Sequence, residues 1–226
     1  DPDPSIETAE TGLRHRTAER IAVQTGELVV AISQRRSLVT LYHDNLSFRL
    51  RDLATILVKA NQALQTLEKY RNVLGHEIQR LNGLEFEDMV TAADVCEVLR
   101  RSIKVLKVGE EIENHIVELG SEGRLVKMQL DEMIANVFEE AVLIIRDYSR
   151  AADKSPEDLM NNMMRLYIED IPDPIFISKI LNYGSSAYLD QHISPRGYRM
   201  LQKLPRIPQP IIENLIKHFE LLGAIV

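Results

Sequence analysis

The hydrophobic pattern has two regimes that meet near Asp52. Residues 1–12 hold two prolines, four acidic side chains (Asp1, Asp3, Glu7, Glu10) and a closing Gly12, which reads as an extended loop. Leu13 to Thr25 then changes to a helical pattern, with Leu13, Thr17, Ile21 and Ala22 on one face and Gly26 as a left-handed stop. Leu28 to Ser33 is an apolar run rich in β-branched residues and predicts a buried strand. Leu38 to Tyr42 predicts its neighbour, after the polar Gln34-Arg35-Arg36-Ser37. Leu46 to Leu50 alternates and predicts a third strand, joined through His43-Asp44-Asn45.

Beyond Asp52 the apolar positions recur at three and four residues. Leu53, Ile56, Leu57, Ala60, Leu64, Leu67, Leu74, Ile78 and Leu81 predict one long amphipathic helix. A second starts at Thr91-Ala92-Ala93-Asp94, a capping box with Asp in place of Glu, and stops near Leu119-Gly120. A third is predicted from Arg124 to Ile145. Ser155-Pro156 opens another helix with proline at its first position. Long helices with one apolar face each gain most of their stability by burying it, so the middle of the chain predicts a helical bundle or spine.

Composition narrows the class. Hydrophobic residues make up 45% and charged residues 27% of 226 positions, which excludes disordered and fibrous chains. No apolar run approaches the roughly 20 residues that span a membrane. Cys96 stands alone, so no intrachain disulfide and no cysteine-based zinc site can form, and a reducing, cytoplasmic setting is expected. The net charge is −7, while the segment after Gly184 carries +2. The Asp-Pro opening without Met and the apolar Gly223-Ala224-Ile225-Val226 ending predict that both ends are cut.

The densest cationic group is Arg14-His15-Arg16 at the start of the first helix, between Thr11-Gly12 and Thr17. Arginines at a helix N-terminus bring charge, dipole and bidentate donors to one place, as a polyphosphate site needs. A solvated basic turn has the same pattern. Ser33, Arg35 and Arg36 follow the first strand, and in open α/β sheets ligands bind beyond the carboxyl ends of strands, so both groups could face one crevice. Cys96 and Met160, Met163 and Met164 are expected in the core. His43, His76, His115, His192 and His218 have no metal-ligand spacing.

Thr11-Gly12-Leu13-Arg14-His15-Arg16-Thr17-Ala18-Glu19-Arg20 resembles the Arg-His-Arg signature of the diadenylate cyclase family, in the form found in DNA-scanning members. The resemblance continues through Asp3-Pro4-Ser5, Gln24-Thr25-Gly26, Leu64 to Tyr70, Ile116 to Gly120 with Gly123-Arg124-Leu125, Arg146-Asp147-Tyr148 and Arg196-Gly197-Tyr198-Arg199. It implies an α/β fold followed by mainly α structure. Residues 1–52 correspond to part of a cyclase domain, 53–195 to a helical spine, and 196–226 to the beginning of a helix-hairpin-helix module. The implied reaction joins two ATP into cyclic di-3′,5′-AMP with release of pyrophosphate, between two cyclase domains that face each other. Leu13, Arg14, His15, Arg16 and Thr17 are implied to form the ATP-binding loop, with Ser33 and Arg36 as further contacts. His15 is expected to bind or orient rather than act as general base.

The resemblance also implies Mg²⁺ or Mn²⁺, a homo-octamer built from facing dimers, and branched DNA as a partner. Two departures bear on activity. The family commonly has Thr at the position of Leu13, so only a backbone contact is expected there. The family's Asp-Gly-Ala motif, whose Asp binds the metal, lies upstream of Arg-His-Arg and outside these 226 residues, so the chain alone is expected to be inactive. At the other end, Leu204-Pro205-Arg206-Ile207-Pro208 with Ile211 to Leu222 resembles the start of the DNA-gripping module, without its glycine hairpin. A reading from a different class is a non-catalytic helical scaffold whose basic loop binds a nucleotide or another anion.

Overall fold

The computed structural model describes residues 2–33, 38–50, 52–151, 153–166, 173–184 and 189–224. The chain divides into two compact units, Asp1–Gln62 with Asn114–Arg124, and Ala63–Glu113 with Leu125–Val226.

In the first unit, helix α1 (Leu13–Thr25) ends where Gly26 adopts φ 70°, a left-handed conformation that glycine takes without strain and that lets its N–H bond back to Ala22. Strands β1 (Val29–Ser33), β2 (Leu38–His43) and β3 (Leu46–Leu50) form an antiparallel meander. The register sets Val29 opposite Tyr42 and Ala31 opposite Thr40. This face packs on α1, burying Ala18, Ala22, Ala31 and Tyr42 with Val29 beside them.

Two expectations are corrected here. The buried face of α1 is set by Ala18 and Ala22, while Leu13 stands 78% exposed in the first turn. Alanines at this spacing let the helix lie close to the sheet, and a larger side chain at the helix start has nothing to cover. The reading of the first strand as buried also fails. Val30 and Ile32 are 50% and 62% exposed, and in register with Leu41, Phe48 and Val39 they form an apolar face that no described residue covers fully. An apolar run alone does not say how many faces of a strand are covered.

Helix α2 (Leu53–Phe86) contributes residues 53–62 to the first unit and the rest to the second; α3 (Ala92–Leu119) lies mostly in the second. The capping box forms as expected, with the Thr91 N–H donating to Asp94 Oδ2 at 3.0 Å and the Asp94 N–H donating to Thr91 Oγ1 at 3.4 Å. Leu64, Leu67, Leu74 and Leu81 of α2 are buried, as are Val95, Leu99, Ile103 and Ile112 of α3. Cys96 and Met163 lie in the same unit with no exposure, and burial pushes the Cys96 thiol up to about 12.

The third long helix is corrected to two, α4 (Arg124–Ile134) and α5 (Val137–Tyr148). Asn136 breaks it by adopting φ 60°, which asparagine tolerates better than other side chains. The apolar period runs on through the break, so periodicity could not reveal it. Helix α6 (Pro156–Leu166) is capped by Ser155, whose Oγ accepts from the Asp158 N–H at 3.0 Å. Helices α7 (Pro174–Ile180), α8 (Tyr198–Gln202) and α9 (Gln209–Phe219) complete the unit. No helix of the described residues is long and apolar enough to cross a membrane.

Candidate functional site

The first turn of α1 presents its backbone donors uncapped. Gly12 precedes the helix in extended conformation, offers no side-chain cap, and no acidic residue occupies the first turn. The first intrahelical bond is Arg16 N–H to Gly12 carbonyl at 2.9 Å, which leaves the preceding N–H groups for water or a ligand. Arg14 and Arg16 are exposed, and neither has an ion-pair partner among the described residues. Thr17 is half-buried. Two free guanidiniums at the positive end of a helix make a local excess of positive charge in a chain of net −7.

The middle residue of the motif turns the other way. His15 is half-buried, and its Nδ1 lies 3.0 Å from the hydroxyl of Tyr42, itself 1% exposed. Glu10, from the segment that leads into α1, accepts from Arg49 of β3 at 2.8 Å. The Arg49 guanidinium holds the Glu10 carboxyl below the usual range, and burial, with Glu10, pushes Tyr42 up to about 12. Arg20 fastens the leading segment by donating to the carbonyls of Ile6 and Pro4 at 3.0 and 3.1 Å. Sequence reasoning missed Glu10, Tyr42, Arg49 and Arg20. The contact from Arg49 to Glu10 spans 39 positions, and no local spacing reports it.

Ser33 ends β1, half-exposed and opposite Leu38, whereas Tyr42 is opposite Val29 at the other end of that strand. Four residues of strand separate these rows by about 13 Å. The rule that ligands gather beyond carboxyl strand ends belongs to parallel sheets, and this meander alternates its ends. Arg35 and Arg36 lie outside the described residues. No group of three or more His, Cys, Asp or Glu among the described residues could hold a metal ion.

A second polar centre joins two of the quoted motifs in the second unit. Asp147 accepts from the backbone N–H groups of Gly197, Tyr198 and Arg199 at 2.9, 2.6 and 3.0 Å, closing the start of α8. Gly197 sits there at φ 110°, where a Cβ would come within 3.1 Å of Leu222. Burial pushes Asp147 up to about 6 despite these three donors. The Arg199 side chain is fully buried, pairs with Glu85 and Glu140, and donates to Asn82 at 2.6 Å. Tyr148 donates to Glu85 at 2.7 Å. Arg196 donates to the carbonyls of Arg146 and Ser149 at 2.8 and 2.9 Å. Apart from Arg199 Nε, which is buried without a hydrogen-bond partner among the described residues, these groups are engaged by their neighbours, so this centre builds structure.

Residues 2–46 match the family described as DisA bacterial checkpoint controller nucleotide-binding, and residues 50–189 match the DisA bacterial checkpoint controller linker region. The chain is 54% identical over 220 residues to the DNA integrity scanning protein DisA of Carboxydothermus hydrogenoformans, covering 96% of the chain and 62% of that protein. It is 48% identical over 225 residues to DisA of Bacillus subtilis, covering 100% of the chain and 62% of that protein. With DisA of Symbiobacterium thermophilum it shares 50% over 226 residues, covering 64% of that protein. The chain thus spans about three fifths of the length of these relatives. With the linker model matching more than half of its residues and the nucleotide-binding model matching the segment that carries Arg14 and Arg16, the chain belongs to the DisA family.

Proposed function

We propose that this chain supplies the nucleotide-gripping part of a diadenylate cyclase that scans DNA, acting within a longer protein of the family. The observation that carries this reading is the uncapped N-terminus of α1 with two unpaired arginines, inside the segment matched by the nucleotide-binding family. Phosphoryl transfer needs alignment and charge neutralisation more than covalent help from the protein. Arg14 and Arg16 hold phosphate oxygens, the backbone N–H groups of the first turn, including that of Leu13, add donors, and Thr17 supports the loop. Ser33 and Arg36 are further nucleotide contacts that the family resemblance implies.

In the reaction, the 3′-hydroxyl oxygen of one ATP attacks the α-phosphorus of the other. The bond from that phosphorus to the bridging oxygen breaks, pyrophosphate leaves, and the hydroxyl proton is lost to a base. The reciprocal attack closes the ring, so two ATP give cyclic di-3′,5′-AMP and two pyrophosphates. Two copies of the site must face each other, which makes self-association, as far as a homo-octamer, part of the proposal. Mg²⁺ or Mn²⁺ belongs to carboxylates outside the described residues, and branched DNA to a module that follows the spine. A cytoplasmic setting accords with ATP and DNA as partners.

The test is a full-length family protein carrying this segment, incubated with ATP and Mg²⁺ or Mn²⁺ and assayed for cyclic di-AMP by mass spectrometry. Arg16→Ala removes a charge-assisted phosphate contact of about 1.5–3 kcal/mol, so product formation at low ATP should fall by about 10- to 100-fold. Unchanged turnover in the folded Arg16→Ala protein overturns the reading.

A further inference from the structure

An open helix N-terminus attracts any negative charge within reach, and the chain carries one of its own. Glu10 lies two residues before Gly12 and three before Leu13, the first residue of α1. Three residues of extended chain span at most about 11 Å. That is little more than the roughly 8 Å screening length of physiological salt. A free carboxylate on this leading segment would be drawn to the positive end of α1, where anions are stabilised. It would equally oppose a phosphate held by Arg14 and Arg16, since like charges at short range repel. Yet α1 has no side-chain cap and no acidic residue in its first turn.

The sheet takes this charge up instead. Glu10 Oε1 accepts from Arg49 of β3 at 2.8 Å, and the Glu10 side chain keeps only 13% of its surface exposed. The guanidinium holds the carboxyl below its usual range, and the carboxylate holds Arg49 above its own. The two form an ion pair of zero net charge. Asp3, a second acid of the segment, is engaged as well: it accepts from the N–H and the hydroxyl of Ser5 at 2.9 and 2.7 Å. The earlier half of the segment is tied to α1 itself. Arg20 donates to the carbonyls of Ile6 and Pro4, and the Asp3 N–H donates to Gln24 at 3.2 Å. The half nearer the helix is tied to β3 through Glu10 and Arg49.

We propose that Arg49 is a positioning residue that holds and neutralises the Glu10 carboxylate against the sheet, so that the N-terminus of α1 stays open to the phosphates of a nucleotide. This rests on the cyclase reading for the identity of the ligand, and on the ion pair for the role of Arg49. Arg49 is 60% exposed, and a pair with one partner in solvent adds little to folding. Its effect on a bound anion is larger, because losing the guanidinium leaves a bare carboxylate beside the phosphate site. The role differs from that of a guanidinium that grips phosphate directly. In the direct case, removing Glu10 as well restores nothing. In the case proposed, the harm comes from the carboxylate left behind and disappears when both charges are removed.

The test measures calorimetric binding of 3′-deoxy-ATP, which lacks the attacking hydroxyl, and of inorganic pyrophosphate to a full-length family protein carrying this segment. Circular dichroism checks that each variant is folded. Arg49→Ala should weaken both ligands about 5- to 20-fold, and the loss should shrink at about 0.5 M salt, where exposed charges are screened. Arg49→Lys keeps the charge and should stay within about threefold of the unsubstituted protein. Glu10→Gln should bind at least as tightly as that protein, and Arg49→Ala combined with Glu10→Gln should return to within about twofold of it. A double variant as weak as Arg49→Ala overturns the inference, since Arg49 then touches the ligand or holds the segment by shape. Unchanged binding in folded Arg49→Ala overturns it too. If pyrophosphate follows the stated order but the unsubstituted protein makes no cyclic di-AMP from ATP, the cyclase reading falls and the role of Arg49 stands. If cyclic di-AMP forms and the order among variants is otherwise, the role of Arg49 alone falls. If neither ligand binds the unsubstituted protein, both fall.

Discussion

At the scale of single residues, the same carboxylate chemistry gives opposite outcomes at Glu10 and Asp147. Arg49 beside Glu10 favours the charged form, whereas burial of Asp147 outweighs three backbone donors and pushes it up to about 6. A group that binds its proton more tightly when folded adds stability that is fully present below its unfolded value, near 4, and is lost as pH rises through about 6. Asp147→Asn cannot titrate. Urea unfolding at pH 4 and pH 7 should therefore show the native chain losing about 2–2.5 kcal/mol relative to the Asp147→Asn variant over that interval. A pH-independent gap between the two would show that the three N–H bonds, not burial, decide the charge of Asp147. None of this was legible in the sequence, because Asp147 is 50 positions from the first N–H that it caps.

At the scale of elements, local signals were read well and tertiary ones poorly, for a physical reason. Gly26, the Thr91 to Asp94 box and Ser155-Pro156 act within one helical turn, and each sits in the structure where its chemistry requires. The break at Asn136 is equally local but carries no glycine or proline, and apolar residues keep helical spacing on both sides. Its φ of 60° makes a prediction. Asn136→Ala places an ordinary side chain in the left-handed region and should cost about 1–2 kcal/mol. Asn136→Gly, which removes that penalty, should stay within about 0.5 kcal/mol of the native chain. Thermal unfolding followed by circular dichroism separates the two, and equal losses would mean that the asparagine side chain, rather than the backbone angle, holds the break.

For the whole molecule, what matters is which distant segments are tied by groups that cannot be left alone. The apolar face of β1 to β3 shows one limit of sequence reading, since a run of Val, Ile and Leu states that surface should be covered but not by what. The candidate site shows another: Arg14 and Arg16 were legible as a cluster, whereas Glu10, Tyr42 and Arg49 meet only after the sheet has formed. The Arg199 centre shows the same at larger span, where the pair with Glu85 bridges 114 positions and both side chains are fully buried. Burial opposes the charge on Arg199, and the Glu85 and Glu140 carboxylates outweigh it. Removing one partner strands the other in a dry interior, so Arg199→Met should cost about 3–5 kcal/mol in urea unfolding. The double variant Arg199→Met with Glu85→Leu has no stranded carboxylate and should recover at least half of that loss, because buried ion pairs are often no more stabilising than apolar groups of similar volume. A double variant as unstable as the single one would mean that the pair contributes through shape and through the bonds of Asn82 and Tyr148, and that its charges are incidental to holding α2, α5 and α8 together.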